Sequence, residues 1–228
     1  IPKSVTFIGL SAFTSDSLNN IEVKEGNTKY CSEDDILYNI NKDTLLQFPA
    51  PRKGVYYAPT SLKVIPMEAF YKSNLSSVIL SDSIKYIGYY GFAYSKIRSF
   101  IAPNATALHA DGASFCFCEN LDTIILSKNA NLTNAFDDHS VHLIYFYNKQ
   151  NNNMEVGCSV PFTFADKYGR YGYMAKCIIP EFVKMNGNNI PVTNISKDAF
   201  NDCQITQLTI PKTINKMESR FKNCSAVY

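Results

Sequence analysis

A phenylalanine recurs along this chain inside a fixed frame of apolar residues, and that recurrence limits the fold more than any other feature. Val5, Ile8, Ala12, Phe13 and Leu18 set the frame: an apolar residue, a second three on, Phe after a small residue five further on, then an apolar residue that opens a short strand. It returns as Leu62, Ile65, Ala69, Phe70, Leu75 and as Ile84, Ile87, Gly91, Phe92, Ile97, with these two phenylalanines 22 residues apart. A fourth copy, Ala105, Leu108, Phe115 and Leu121, has two extra residues before its Phe, and a fifth reads Leu132, Ala135, Phe136 and Val141. After a break come Val192, Ile195, Ala199, Phe200 and Ile205, then Ile214, Met217 and Phe221, where Arg220 holds the alanine position.

A segment of about 22 residues is too small to enclose its own apolar side chains. Each must lean on its neighbours, and the core becomes a continuous column. The spacing therefore predicts a mostly β solenoid of about seven coils, one domain over residues 1–228. Every coil ends in an apolar-x-x-apolar-x-apolar stretch, as in "LNNIEV", "LSSVIL", "IRSFIA", "LDTIIL" and "ITQLTI". The last three residues alternate as a half-buried strand does, so these strands stack into one parallel sheet on one face.

The frame resembles that of the BspA-like leucine-rich repeat family, whose coils read approximately I-P-x-S-V-x-x-I-G-x-x-A-F-x-x-C-x-x-L-x-x-I-x. Ile1, Pro2, Ser4, Val5, Ile8, Gly9, Ala12, Phe13, Leu18 and Ile21 match it in order. The resemblance implies a bacterial type of surface protein: extracellular or cell-surface, and engaged in adhesion to host proteins or other cells. The fold alone assigns no activity.

Two insertions interrupt the coils, at about 24–55 and 147–182. The first, "EGNTKYCSEDDILYNINKDTLLQFP", resembles a segment common in the family, with Asp35 where Gly is usual. Its runs "DILY" and "TLLQF", joined by "NINKD", read as a β-hairpin off the solenoid rim. The second opens with the polar "NKQNNNMEVG", read as a flexible loop. It then gathers Phe162, Phe164, Tyr168, Tyr171 and Tyr173, which either form a satellite core on the solenoid flank or contact a ligand.

Composition removes several function classes. With a net charge of +2 and scattered basic residues, there is no electrostatic footprint for nucleic acid or an anionic membrane surface. No run approaches the roughly 18 apolar residues of a spanning helix. The chain starts with Ile and shows no polar cap at either end, which reads as a processed segment of a larger surface protein, its export signal or anchor outside this chain, or as self-association through an end. Five Asn-x-Ser/Thr sequons begin at Asn74, Asn104, Asn131, Asn194 and Asn223, a number the Asn-rich composition explains.

The search for chemistry is short. Cys118, Cys203 and Cys224 each stand three residues after a coil Phe, where Ser73 and Ser95 stand in other coils, and so read as small buried thiols filling the turn. Cys116 and Cys118 have no second Cys or His pair to complete a metal site. Cys158 and Cys177 flank the aromatic insertion and are the pair to test for a disulfide. Asp137, Asp138, His139 and His142 form the best polar cluster, yet they enter a strand, where successive side chains diverge. His109 stands alone. No phosphate loop, nucleophile elbow or zinc-protease motif occurs. The expectation is no enzyme, no cofactor and no metal.

Recognition then falls to the outward strand positions. The central outward row reads Glu22, Ile79, Ile101, Ile125, Tyr145 and Thr209, and the row two residues earlier Asn20, Ser77, Ser99, Thr123, Leu143 and Gln207. Ile79, Ile101, Ile125 and Tyr145, flanked by Ser77, Ser99 and Thr123, form an apolar stripe on the concave face that a solvated sheet does not require. A protein or peptide partner is expected there, with a glycan as a further option. Two alternatives stand beside it: β-branched residues simply suit strands, or an insertion folds over the stripe. At the level of the whole chain, the alternative is a structural spacer without its own ligand.

Overall fold

Five phenylalanines, four of them from the recurring frame, form one file of stacked rings. In the computed structural model, Phe48 lies 4.9 Å from Phe70, Phe70 4.6 Å from Phe92, Phe92 5.2 Å from Phe115, and Phe115 5.4 Å from Phe136, all near parallel. These separations bracket the roughly 4.8 Å between neighbouring strands of a sheet, so each coil contributes one ring at its own level. The structure describes residues 1–132, 135–136, 142–159, 173–197, 199–200 and 204–218; the side chains at 142, 158–159, 173–175, 204 and 206 lie outside that description. Among the described residues every regular element is a strand. The chain divides into two compact units, Ile1–Leu121 with Asn129–Asp137, and Asp122–Lys128 with Asp138–Tyr228.

In the first unit, β1 (Tyr30–Glu33), β2 (Ile36–Asn39) and β3 (Leu45–Gln47) make an antiparallel sheet. β4 (Gly54–Tyr57), β6 (Leu75–Ile79) and β8 (Ser99–Ala102) form a parallel ladder, one strand per coil. A second parallel ladder runs through β5 (Val64–Ile65), β7 (Tyr86–Ile87) and β9 (His109–Ala110). Between the ladders the coil bends around its phenylalanine. Glu68, Tyr90 and Ala113, each two residues before a Phe, and Lys72, Tyr94 and Phe117, each two after, all have positive φ. Each such residue costs about 1–2 kcal/mol, and the strain is held by bonds to the next coil. The amides of Phe48, Phe70, Phe92 and Phe115 donate to the carbonyls of Ala69, Gly91, Ser114 and Ala135, each at 2.8 Å. Gly88 has a different role: a Cβ there would lie 2.6 Å from the Met67 amide nitrogen of the preceding coil, so only glycine lets the two backbones meet.

The small residue three after each Phe does fill the turn. Ser73, Ser95 and Cys118 are all buried. Cys118 Sγ donates to the Phe92 carbonyl at 3.1 Å and lies 3.3 Å from Ser95 Oγ, whereas the buried Ser73 hydroxyl has no hydrogen-bond partner among the described residues. Cys203 and Cys224 lie outside the described residues.

The first insertion departs from the expected rim hairpin. Its hairpins form, one through the Asp34–Asp35 turn, where both residues have positive φ, and one through the turn braced by Asn39, whose Oδ1 accepts from the Asp43 and Thr44 amides at 3.0 and 3.1 Å. Residues 43–58 then make a full coil of the stack. Thr44 bridges to Val64, Phe48 joins the ring file, the Asn74 amide donates to Ala50 at 2.8 Å, and β4 pairs with β6. The stack supplies the register that the missing Ala-Phe consensus does not. Coil one is less enclosed: Val5, Ile8, Phe13 and Leu18 are only half-buried, and Asn27, itself buried, ties its loop by donating to the Pro2 and Val5 carbonyls at 3.0 Å each.

In the second unit, β10 (Thr123–Leu126) pairs parallel with β11 (His142–Asn148), which turns back as β12 (Asn153–Ser159) over seven paired positions. The stretch expected as a flexible loop is thus a tight turn and a strand. Asn148 Oδ1 accepts from the Gln150 and Asn151 amides at 3.0 and 3.2 Å, which closes the turn, and Met154 and Val156 alternate into the core. β14 (Phe182–Met185) and β15 (Asn188–Ile195) form a hairpin through Asn186 and Gly187, both at positive φ. β15 also pairs with β12 and β17 (Lys216–Met217), and β13 (Tyr173–Ile178) pairs with β16 (Gln204–Thr209). Phe200, Val192 and Ile195 are buried, as their place in the repeat requires. Phe162, Phe164, Tyr168, Tyr171, Val141, Phe221 and the side chain of Tyr173 lie outside the description.

Two expectations follow. Phe92→Ala, which leaves a hole between two stacked rings, lowers unfolding free energy by about 3–5 kcal/mol in urea titration. Ser73→Ala, which removes a buried hydroxyl without a partner, raises stability by about 1 kcal/mol, while Ser95→Ala lowers it by a similar amount.

Candidate functional site

The parallel ladder of the first unit sorts its side chains strictly by parity. Tyr56, Val78 and Phe100 are in register and buried; the residues on either side of them point the other way. One outward row is therefore Val55, Ser77 and Ser99, and the next is Tyr57, Ile79 and Ile101. The hydroxyls of Ser77 and Ser99 lie 2.5 Å apart, and Ser76 Oγ donates to the Gly54 carbonyl at 2.8 Å. Along the second row the exposure falls steeply: Tyr57 is 69% exposed, Ile79 is half-buried, and Ile101 is 6% exposed.

The predicted apolar stripe is thus not a free surface along its length. Ile101, Ile125 and Tyr145 are buried, the last two at 0% and 4% exposure, and Ile79 alone of the four keeps substantial access. Within the second unit, Tyr145 stands opposite Ile125 on β10 and Val156 on β12, and Thr123 is half-buried. Burial pushes the Tyr145 phenol well above its ordinary value, with Cys177 of β13 and Asp122 adding to the shift. Cys177 belongs to the second insertion and Tyr145 to the same compact unit. Cys177 is buried, and the side chain of Cys158 lies outside the description.

Accessible apolar surface sits instead on β4, which ends its sheet. Val55 is 44% exposed beside Tyr57. Neither is a candidate from the sequence, where the first insertion ends inside this strand. The signal was present: Phe48 precedes Phe70, and Tyr56 precedes Val78, by the same 22 residues that separate Phe70 from Phe92.

Next to β4 lies a cavity of about 270 Å³, bounded by the hairpin residues Glu33, Asp34, Ile36 and Tyr38 and by Phe48, Arg52, Val55, Tyr56, Tyr57 and Pro59. The Tyr38 and Tyr56 hydroxyls are 3.1 Å apart and both residues are buried. Burial pushes the Tyr38 phenol up to about 12, against the opposing effect of the Tyr56 hydrogen bond, and raises Tyr56 further. Arg52 donates to the Asp34 carbonyl and stands 5.9 Å over the Phe48 ring. Glu33 is paired with Lys42 at 2.8 Å.

His109 is exposed, with Nε2 3.4 Å from Asp111 Oδ1; Tyr86 donates to the same carboxylate, and this bond raises the tyrosine's pKa. The three link adjacent coils of the second ladder. Asp137, Asp138 and His139, and the side chain of His142, lie outside the description. Among the described residues no group of three or more His, Cys, Asp or Glu converges to hold a metal ion, and no helix is long and apolar enough to cross a membrane.

One turn per coil, parallel ladders on two sides and a file of phenylalanines between them define a leucine-rich repeat solenoid. The family model for the BspA type leucine rich repeat region matches six copies over residues 56–157 and 175–228, more than half of the chain. The chain belongs to the BspA-type leucine-rich repeat family. Among solved structures it is similar to a leucine-rich repeat protein from Eubacterium ventriosum, at 19% identity and a TM-score of 0.52, over 100% of this chain and 59% of that one. It is also similar to the pneumococcal vaccine antigen PcpA, at 18% identity and a TM-score of 0.44, over 99% of this chain and 45% of that one. The chain therefore spans about half the length of these relatives. No curated protein matches it.

The raised phenols of the Tyr38–Tyr56 pair make stability depend on pH. Unfolded tyrosine ionises near 10, whereas Tyr38 holds its proton to about 12, so this contribution to stability is complete below pH 10 and is lost as pH rises from about 10 to 12. Urea midpoints at pH 9 and pH 11 are expected to show the drop, and Tyr38→Phe to make it smaller.

Proposed function

We propose that this protein is a non-catalytic recognition module, displayed at a cell surface or secreted, that binds a protein or peptide partner through the solvent side of its parallel sheet in cell adhesion. The observation that carries the reading is the exposed pair Val55 and Tyr57, in register with the linked hydroxyls of Ser77 and Ser99 and with Ile79. An exposed aromatic ring beside small polar groups is the composition of an interface anchor: large contact area, few rotatable bonds and a polar rim. The position at Ile79, Ser77 and Ser99 keeps its proposed contact role. Ile101, Ile125 and Tyr145 are buried and Thr123 is half-buried, so they are not put forward as contacts. Membership of a family that includes bacterial surface proteins supports the surface location.

The test is a binding screen of the full chain against extracellular-matrix proteins and glycans by surface plasmon resonance. A protein ligand is expected, and Tyr57→Ala combined with Ile79→Lys is expected to weaken it about tenfold or more with an unchanged circular dichroism spectrum. Lysine at Ile101 or Ile125 is the wrong probe, since it would bury a charge and unfold the coil. Silence across the screen would leave the chain a structural spacer, and undiminished binding by the double variant would move the site elsewhere.

A further inference from the structure

The open side of β4 has a main-chain complement as well as a side-chain one. The Ala58 amide donates to the Ile79 carbonyl at 2.9 Å, toward β6. Successive residues of a strand direct their N–H and C=O groups to alternate sides, so those of Tyr57 face away from β6, where the sheet has no further strand among the described residues. A row of unpaired backbone groups is a template for another extended segment. The cavity beside it is about 270 Å³, just under the roughly 300–1,000 Å³ of pockets that enclose a whole small ligand. That size suits one side chain of a docked strand better than a free-standing ligand.

The chemistry of the cavity selects the side chain. Phe48 and Tyr56 give it apolar walls. Of the two protons on the Tyr38–Tyr56 hydroxyl pair, one is used in their mutual bond and the other has no acceptor among the described residues. The Arg52 guanidinium is anchored by a main-chain carbonyl and a ring, and makes no ion pair among the described residues, while the nearby Glu33 is already taken by Lys42. The Asp34 carboxylate also bounds the cavity but is exposed to solvent, so the spare hydroxyl proton and the Arg52 guanidinium call for an entering group that accepts.

We propose that the β4 edge and its cavity form a docking site for an extended peptide strand, which pairs with the main chain of Tyr57 and places a side chain of glutamate or glutamine size against Arg52 and the Tyr38–Tyr56 pair. This deepens the recognition reading given above and rests on it.

Proline at position 57 separates the backbone from the ring. It removes an N–H that faces away from β6, so the existing ladder is kept, and proline is tolerated at such edge positions. The full chain is to be panned against a phage-displayed library of random heptapeptides, and the selected peptides synthesised. They are expected to share a Glu or Gln, to slow amide exchange over residues 55–58, and to bind Tyr57→Pro about tenfold more weakly than Tyr57→Ala, the two variants differing in the loss of one main-chain bond. Arg52→Ala is expected to abolish the preference for Glu or Gln. Should Tyr57→Pro fail to fold, exchange at 55–58 in Tyr57→Ala reads the same pairing. An empty selection, equal affinity of the two variants, or unchanged exchange at 55–58 would overturn the proposal. A wild-type dimer that Tyr57→Pro dissolves would also overturn it, by giving the edge to a second copy. A matrix-protein ligand sensitive to Tyr57→Ala with Ile79→Lys but not to Tyr57→Pro would leave the recognition reading intact and remove only strand docking.

Discussion

The coils from Phe48 to Phe136 are held by a contact that none can make alone: each aromatic ring lies on the ring of its neighbour, and the amides of Phe48, Phe70, Phe92 and Phe115 bond to the next coil's carbonyl. The file from Phe48 to Phe136 runs at spacings of 4.6–5.4 Å, close to the strand separation. Apolar burial and main-chain hydrogen bonding therefore share one repeat distance. A side chain of different thickness at the Phe position would set them in conflict, which is why the repeat tolerates Gly91 for Ala but keeps the phenylalanine.

That stacking also absorbs the strained turns on either side of the ring. Residues as different as Glu68, Tyr90 and Ala113 share a positive φ because the bonds from coil to coil leave no other path for the chain. The same constraint places residues 43–58 in the stack although Gln47 stands before Phe48 where Ala69, Gly91, Ser114 and Ala135 precede the neighbouring phenylalanines. The recognition surface is a by-product of this order. Once alternate strand residues are committed to the column, their neighbours must point outward, and what they meet depends on what else lies over them.

The coils themselves were legible because a spacing of 22 residues is a one-dimensional signal that survives degenerate copies. Phe70, Phe92 and Phe200 occupy the interior that their frame requires. The apolar stripe was legible only in part. Parity puts Ile79 and Ile101 on the side of their ladder away from Val78 and Phe100, but parity says nothing about cover, and Ile101, Ile125 and Tyr145 are all buried. Tyr57 was missed for the converse reason: it belongs to a coil whose consensus is too weak to recognise, although its distance from Ile79 carries the period. The polar "NKQNNN" stretch misled through composition, since Asn148 bonds to its own following amides and turns the stretch into a hairpin end.

By itself the amino-acid order determined the repeat length, the identity of the column residues and the parity of each strand, because these depend on neighbours at fixed separations along the chain. Tertiary structure decided which outward residues remain accessible, how the first insertion joins the stack and where an open strand edge meets a cavity. Those properties arise from segments that meet in space at separations no local pattern encodes, as when the Asp34 carbonyl receives Arg52 and Tyr38 reaches Tyr56 across the edge of β4.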